Sequence, residues 1–198
     1  ILVSWYTLLK AQYEGMEYYQ EQDPAVKVKL EQWQDLKFGF FVHWGPYSQK
    51  GYCESWTICT EDVDWIQRDT IISYDEYYRN YVNLKKTFNP VKFNPEYWAD
   101  LAKEAGMKYF VFTTKHHDGF CMWDTKETDY KITSSECPYH TAPHPDILKE
   151  LFGAFQKRDF MIGAYFSKPD WNNPYYWSDR WQPGDRNVNY KIKNHPWM

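Results

Sequence analysis

An α/β fold with parallel strands is predicted by three apolar runs, by the helices between them and by the loops that follow them. Phe38–Val42, Tyr109–Thr114 and Phe160–Ser167 are rich in aromatic and β-forming residues and lack polar alternation, which suits strands buried on both faces of a parallel sheet. The apolar spacing between the runs is helical, and strand–helix alternation implies right-handed βαβ units. Each run also ends in a stretch carrying His, Asp or Trp, and the C-terminal ends of parallel strands are where such sheets place chemistry. Three strands in 198 residues are too few for a closed eight-stranded barrel, which takes about 250. The pattern therefore fits either a small open sheet or the N-terminal part of a larger barrel.

Taken in order, residues 1–34 read as a helical N-terminal lead-in that covers one end of such a barrel, and residues 35–198 as the main domain. Asp23 is placed to cap a helix with Pro24 in its first position, and Val26, Val28, Leu30, Trp33 and Leu36 give that helix an apolar side. The first strand runs through KFGFFVHWG and ends at His43, Trp44 and Gly45. The irregular segment from Pro46 to Asp69 carries Glu54, Trp56, Asp62, Asp64 and Trp65. Loops of that length in a compact domain are functional or disordered, and the tryptophans argue against disorder. Ser73–Thr87 follows with helical spacing of Tyr74, Tyr77, Tyr78, Tyr81, Val82 and Leu84.

Asn94-Pro95 then opens a helix whose predicted stripe is Tyr97, Trp98, Leu101, Ala102 and Ala105, stopped by Gly106. The strand at Tyr109 comes a few residues later, as a short connection requires, and ends in Lys115-His116-His117-Asp118-Gly119. The unit recurs: a helix from about Asp146 to Lys157, a strand over Phe160–Ser167, and the loop Lys168-Pro169-Asp170-Trp171. Asn172–Met198 reads as a polar, aromatic loop.

Composition narrows the function. A net charge of -4 gives no basic patch, which argues against nucleic acid and anionic membranes as partners. No apolar stretch reaches transmembrane length and the mean hydropathy is -0.80, so no membrane insertion is expected. Aromatic residues make up 21%, with 11 Trp and 18 Tyr, more than cores usually need; flat apolar faces with polar edges suit sugars. Cys53, Cys59, Cys121 and Cys137 show no CxxC pair and no zinc-ligand spacing, though Cys53 and Cys59 are close enough in sequence for a disulfide. The start at Ile1 reads as processed or trimmed.

The motifs exclude more. No G-x-S-x-G elbow supports acyl transfer, and no GxGxxG or P-loop cradles phosphate, so no cofactor is expected. His43, His116, His117 and Asp118 match no HExxH or His-x-His pattern, and neighbours on a strand point to opposite faces; no metal is expected. Carbohydrate chemistry remains. Neutral imidazoles donate to and accept from sugar hydroxyls, Trp44, Trp56 and Trp171 offer stacking faces, and Glu54 is a general-acid candidate. Each residue also has a plainer reading: a solvated glutamate, a core histidine satisfied by backbone, or packed indoles.

Three segments carry a resemblance: KFGFFVHWGPYS, FNPVKFNPEYWADLAKEAGMKYFVFTTKHHDGFCMWDTKETDYKIT and DILKELFGAFQKRDFMIGAYFSKPDW. From about Lys37 to Trp171 the chain resembles the N-terminal half of the catalytic barrel of α-L-fucosidases, retaining glycoside hydrolases that remove terminal fucose. The resemblance implies a (β/α)8 barrel represented by about three βα units, with residues 35–198 a partial glycoside hydrolase domain. It implies that His43, His116 and His117 hold the fucose hydroxyls and that Tyr165 lines the same subsite. Glu54 and Trp56 fall where many members have adjacent Glu and Trp; here Ser55 separates them. The family's nucleophilic aspartate is expected beyond residue 198, and Asp170 is not in its motif. The implied substrate is a fucosylated oligosaccharide or glycoconjugate, and the implied location is periplasmic, secreted or lysosomal. A half barrel exposes two sheet edges, so the missing barrel portion or a homo-oligomer partner is expected to cover them. The alternative is a non-catalytic fucose-binding module derived from the same fold.

Overall fold

The computed structural model describes residues 21–59 and 71–173. The expectations for residues 1–20, for Asp62, Asp64 and Trp65, and for residues 174–198 lie outside these. The chain divides into two units, Ile1–Lys37 and Phe38–Met198. In the first, helix α1 spans Pro24–Leu36. Its start follows local chemistry: the Asp23 carboxylate accepts the Ala25 N–H at 2.8 Å, and Pro24 occupies a position whose N–H would otherwise go unused. No residue of α1 is buried.

The second unit runs β1 (Gly39–Val42), α2 (Tyr74–Val82), α3 (Pro95–Glu104), β2 (Tyr109–Lys115), α4 (Ile147–Gln156) and β3 (Met161–Phe166). The strands form one sheet in the order β1-β2-β3, with both pairs parallel: Gly39 lies opposite Tyr109, and Tyr109 opposite Met161. The helices begin where a short polar side chain takes up an orphan N–H. Ser73 accepts from Glu76, Asn94 from Tyr97 and Asp146 from Lys149. Helix α3 stops where Gly106 adopts φ 82°, a conformation that side-chain-bearing residues avoid. The helical stretch predicted over Ser73–Thr87 is divided: α2 gives way to a 3-10 turn at Asn83–Lys86.

One face of the sheet is dry. Phe40, Val42, Phe110, Phe112 and Ile162 pack with Ala99 and Ala102 of α3 and with Ile147, Leu151, Ala154 and Phe155 of α4. The Phe110 and Phe155 rings stack 3.8 Å apart at 10°. A second cluster lies beyond β1: Tyr47, Ile58 and Cys59 of the long loop with Tyr77, Tyr78 and Tyr81 of α2 and Trp171. The described part of that loop is therefore ordered by burial of its aromatic and aliphatic residues, with 3-10 turns at Pro46–Lys50 and Trp56–Ile58.

Three expectations are corrected here. Strands β1 and β3 are not buried on both faces: Phe41, Tyr165 and Phe166 are exposed. Among the described residues only β2 has a strand on each side, and Phe41 of β1 and Tyr165 of β3 are exposed on the face opposite the helices. In α3, the inward residues are Ala99 and Ala102 with Trp98, while Tyr97 and Leu101 are exposed; the two alanines let the helix backbone approach the sheet. The cysteines form no disulfide: Cys53 is an exposed thiol, and Cys59, Cys121 and Cys137 are buried thiols. Among the described residues, no helix is long and apolar enough to cross a membrane.

Candidate active site

The three strands deliver their side chains in alternation. Odd-numbered residues of β1, Phe41 and then His43 just past its end, face away from the helices, and so does Thr113 of β2. Thr113 Oγ1 lies 3.2 Å from His43 Nδ1. Tyr165 joins them from β3, its ring 5.6 Å from that of His43 and 5.8 Å from that of Phe41. The open face of the sheet thus ends in an aromatic floor with an imidazole at its rim.

The same alternation sends Trp44 the other way. Its ring packs against Phe88, Phe93 and Trp98 at 5.8, 5.3 and 5.2 Å, within the helix-side core. Trp44, expected above as a stacking face, is in this structure a ring packed against the core.

A single turn of the long loop completes the group. Glu54 sits in the left-handed region at φ 46°, a conformation that costs a glutamate of order 1 kcal/mol or more and persists only where the surroundings hold it. It brings Oε1 to 3.4 Å from His43 Nδ1 and Oε2 to 3.8 Å from His116 Nε2. The next residue, Ser55, is fully buried and its hydroxyl hydrogen-bonds His116 Nδ1. Trp56 then lays its ring 5.3 Å from that of His117 and 5.5 Å from that of Trp171. The Trp171 N–H donates to the His117 carbonyl at 2.6 Å. Three consecutive loop residues therefore touch three histidines, and Ser55 is a working member of the turn.

Burial sets the charge state. The His116 side chain is 3% exposed; burial, with His117, His43 and Lys115 nearby, pushes its pKa down to about 3, so it is neutral near pH 7. Burial also lowers the pKa of His117, with Lys115 adding to the effect. Its buried Nδ1 has no hydrogen-bond partner among the described residues. Neutral imidazole offers one donor and one acceptor, which matches a hydroxyl.

Behind the histidines lies a polar support built from strand-end residues to which the sequence assigned no role. Lys115 is buried and its ammonium reaches the Pro169 carbonyl at 3.3 Å and Asp170 Oδ2 at 3.4 Å. Asp170 Oδ1 also accepts the Asn172 and Asn173 N–H groups at 3.1 and 3.0 Å, so this carboxylate is fully engaged in holding its loop. Asp118 is buried, accepting the Tyr81 hydroxyl at 2.8 Å and the Phe120 N–H at 3.2 Å. Among the described residues, Glu54 is the carboxylate that faces His43 and His116.

Gly119 joins this support to the site. It has φ 81°, and a Cβ there would stand 2.5 Å from Asp170 Oδ1, an atom pinned by two backbone donors. Gly119→Ala is therefore expected to lower stability by roughly 2–4 kcal/mol, combining backbone strain with overpacking, in chemical denaturation. A loss below about 1 kcal/mol would show that the Asp170 loop yields.

Comparison with known proteins agrees with this geometry. The sequence profile of the family described as Alpha-L-fucosidase matches residues 7–198. Tissue α-L-fucosidase of Bos taurus is 34% identical over 159 residues, covering 76% of this chain and 32% of that protein. Plasma α-L-fucosidase of Homo sapiens is 32% identical over 161 residues, covering 76% of this chain and 32% of that protein. The chain thus spans about a third of the length of the curated relatives it matches. Among solved structures, an α-L-fucosidase of Bacteroides thetaiotaomicron, trapped as a covalent intermediate in complex with 2-fluoro-fucosyl fluoride, superposes with a TM-score of 0.58. That match has 35% identity and covers 81% of this chain and 34% of that one. The parallel sheet and its helices are part of the barrel of such enzymes, the larger of the two architectures that the strand count allowed.

Proposed function

The chain belongs to the α-L-fucosidase family, and we propose that it supplies the sugar-binding side of a retaining α-L-fucosidase that removes terminal L-fucose from glycoconjugates. The observation that carries this reading is the turn Glu54-Ser55-Trp56 closing on His43, His116 and His117. Neutral His116 and His117 exchange hydrogen bonds with ring hydroxyls, Trp56 offers an apolar face to the C–H side of the sugar, and Tyr165 lines the open floor. Glu54 is the acid/base candidate. A retaining mechanism takes a second carboxylate about 5–5.5 Å from the first; among the described residues Asp118 and Asp170 are engaged in holding their own loops, and the second carboxylate is expected from the rest of the barrel.

The covalent intermediate trapped in the Bacteroides relative supports double displacement, and with it an enzyme over a binding module. The relative named for plasma supports a site of action outside the cytoplasm. Calorimetric titration of L-fucose into the 198-residue chain tests the reading. His117→Ala and Trp56→Ala are each expected to weaken binding about tenfold or more, with the circular dichroism of the fold unchanged. Equal affinity in wild type and both variants would remove this turn from the sugar site.

A further inference from the structure

His43, Glu54 and His116 have a second chemical property. One potential ligand atom from each lies within 4.8 Å of those of the other two. Tetrahedral zinc, with bonds of about 2.0–2.1 Å, holds its ligand atoms about 3.3 Å apart. Glu54 Oε1 stands 3.4 Å from His43 Nδ1 and Glu54 Oε2 3.8 Å from His116 Nε2, so the carboxylate faces both imidazoles, and a set with one atom from each residue, within 4.8 Å, closes on an ion with shifts of about 1.5 Å or less. We propose that these three side chains form a binding site for a divalent transition metal of the zinc class.

Four features favour it. Two imidazoles and one carboxylate are the donor set of borderline ions, whereas magnesium and calcium take oxygens. The Ser55 hydroxyl holds His116 Nδ1 and leaves Nε2 on the side of Glu54; in the tautomer with the proton on Nδ1, Ser55 is the outer hydrogen-bond partner that orients a metal-bound histidine. His43 exchanges its contact with the Thr113 hydroxyl for the ion. The nearby buried cation, Lys115, is already paired with Asp170 and is not aimed at the ligands. Three protein ligands leave a fourth position for water or an anion. Motif reading missed this set because its members come from the end of β1, the turn at Glu54 and the end of β2, with no short spacing between them.

The inference does not depend on the sugar reading, and its test has its own readout. The Cys53 thiol, exposed and 3.9 Å from Glu54 Oε2, is the obvious confounder, so Cys53→Ser is the background for every variant. Zinc is titrated calorimetrically into the full chain, and cobalt is followed by its visible d–d absorption. One equivalent is expected to bind with a tetrahedral cobalt spectrum. Glu54→Gln and His43→Ala should each weaken it about tenfold or more while circular dichroism stays native, and His144→Ala, at an exposed histidine paired with Glu150, should not. Unchanged affinity in Glu54→Gln and His43→Ala, loss of binding on Cys53→Ser alone, or no binding at millimolar metal would each overturn the proposal. Metal binding without fucose binding would leave the metal site standing and remove the sugar reading.

Discussion

Phe110→Ala is expected to lower the free energy of unfolding by about 3–5 kcal/mol, the largest stability effect of any truncation on the sheet. Phe110 is fully buried on β2, the strand with a neighbour on each side. Its ring lies against Phe155 at 3.8 Å, with Phe40 at 5.8 Å, Phe112 at 6.3 Å and Phe152 at 6.4 Å. Removing it leaves a cavity walled by rings from β1, β2 and α4. Those walls are held by the sheet register, so the site relaxes little and most of the cavity persists. Against a total stability of about 5–15 kcal/mol for a domain, the loss is a large fraction. Phe41→Ala is the control. That residue is on the neighbouring strand but 51% exposed, and its truncation should cost less than about 1 kcal/mol. Urea unfolding followed by tryptophan fluorescence reads both; equal losses would mean that the helix-side face is not the core of this fold.

The contrast between Phe110 and Phe41 marks how far sequence reading reaches. Strand positions were legible because an apolar run without alternation is a local signal, and helix starts were legible because Asp23, Asn94 and Asp146 act within three residues of themselves. The histidines at the ends of β1 and β2 were legible for the same reason. What lay beyond reach depends on which face a residue takes and on distant partners. His43 and Trp44 look alike as neighbours in HWG, yet one rims the open face and the other fills the core. Ser55 looked like an interruption between Glu54 and Trp56, and only a partner 61 positions away gives it a task. Phe41 read as buried because nothing in five residues says that the inner face of the strand is open. Tyr97 and Leu101 fit a helical stripe, but two alanines that pack more tightly took the inward side. In each case a local pattern was correct about the element and silent about its neighbour.

Asp118 gives the second large effect, and its sign differs from that of an ordinary carboxylate. Burial raises its pKa to about 6, opposed by hydrogen bonds from Tyr81 and Phe120. A raised acid binds more protons in the native than in the unfolded chain between about 3.8 and 6. Its contribution to stability is therefore full below 3.8 and lost as pH rises through 6, at about 1.4 kcal/mol per unit. His116 acts oppositely: with its pKa pushed down to about 3 by burial, its contribution is present above 6.5 and lost as pH falls. The two slopes oppose one another between about pH 4 and 6, so the wild-type profile should be comparatively flat there. Asp118→Asn removes one slope and keeps the other. Relative to wild type, the variant should lose about 2–3 kcal/mol on going from pH 7 to pH 4, because His116 cancels in the difference. Asp118→Ala at pH 7 should cost about 3 kcal/mol or more, since it leaves the buried Tyr81 hydroxyl and Phe120 N–H without an acceptor. Urea unfolding of both variants at several pH values is the measurement. A difference between Asp118→Asn and wild type that does not change with pH would mean that Asp118 is charged throughout that range.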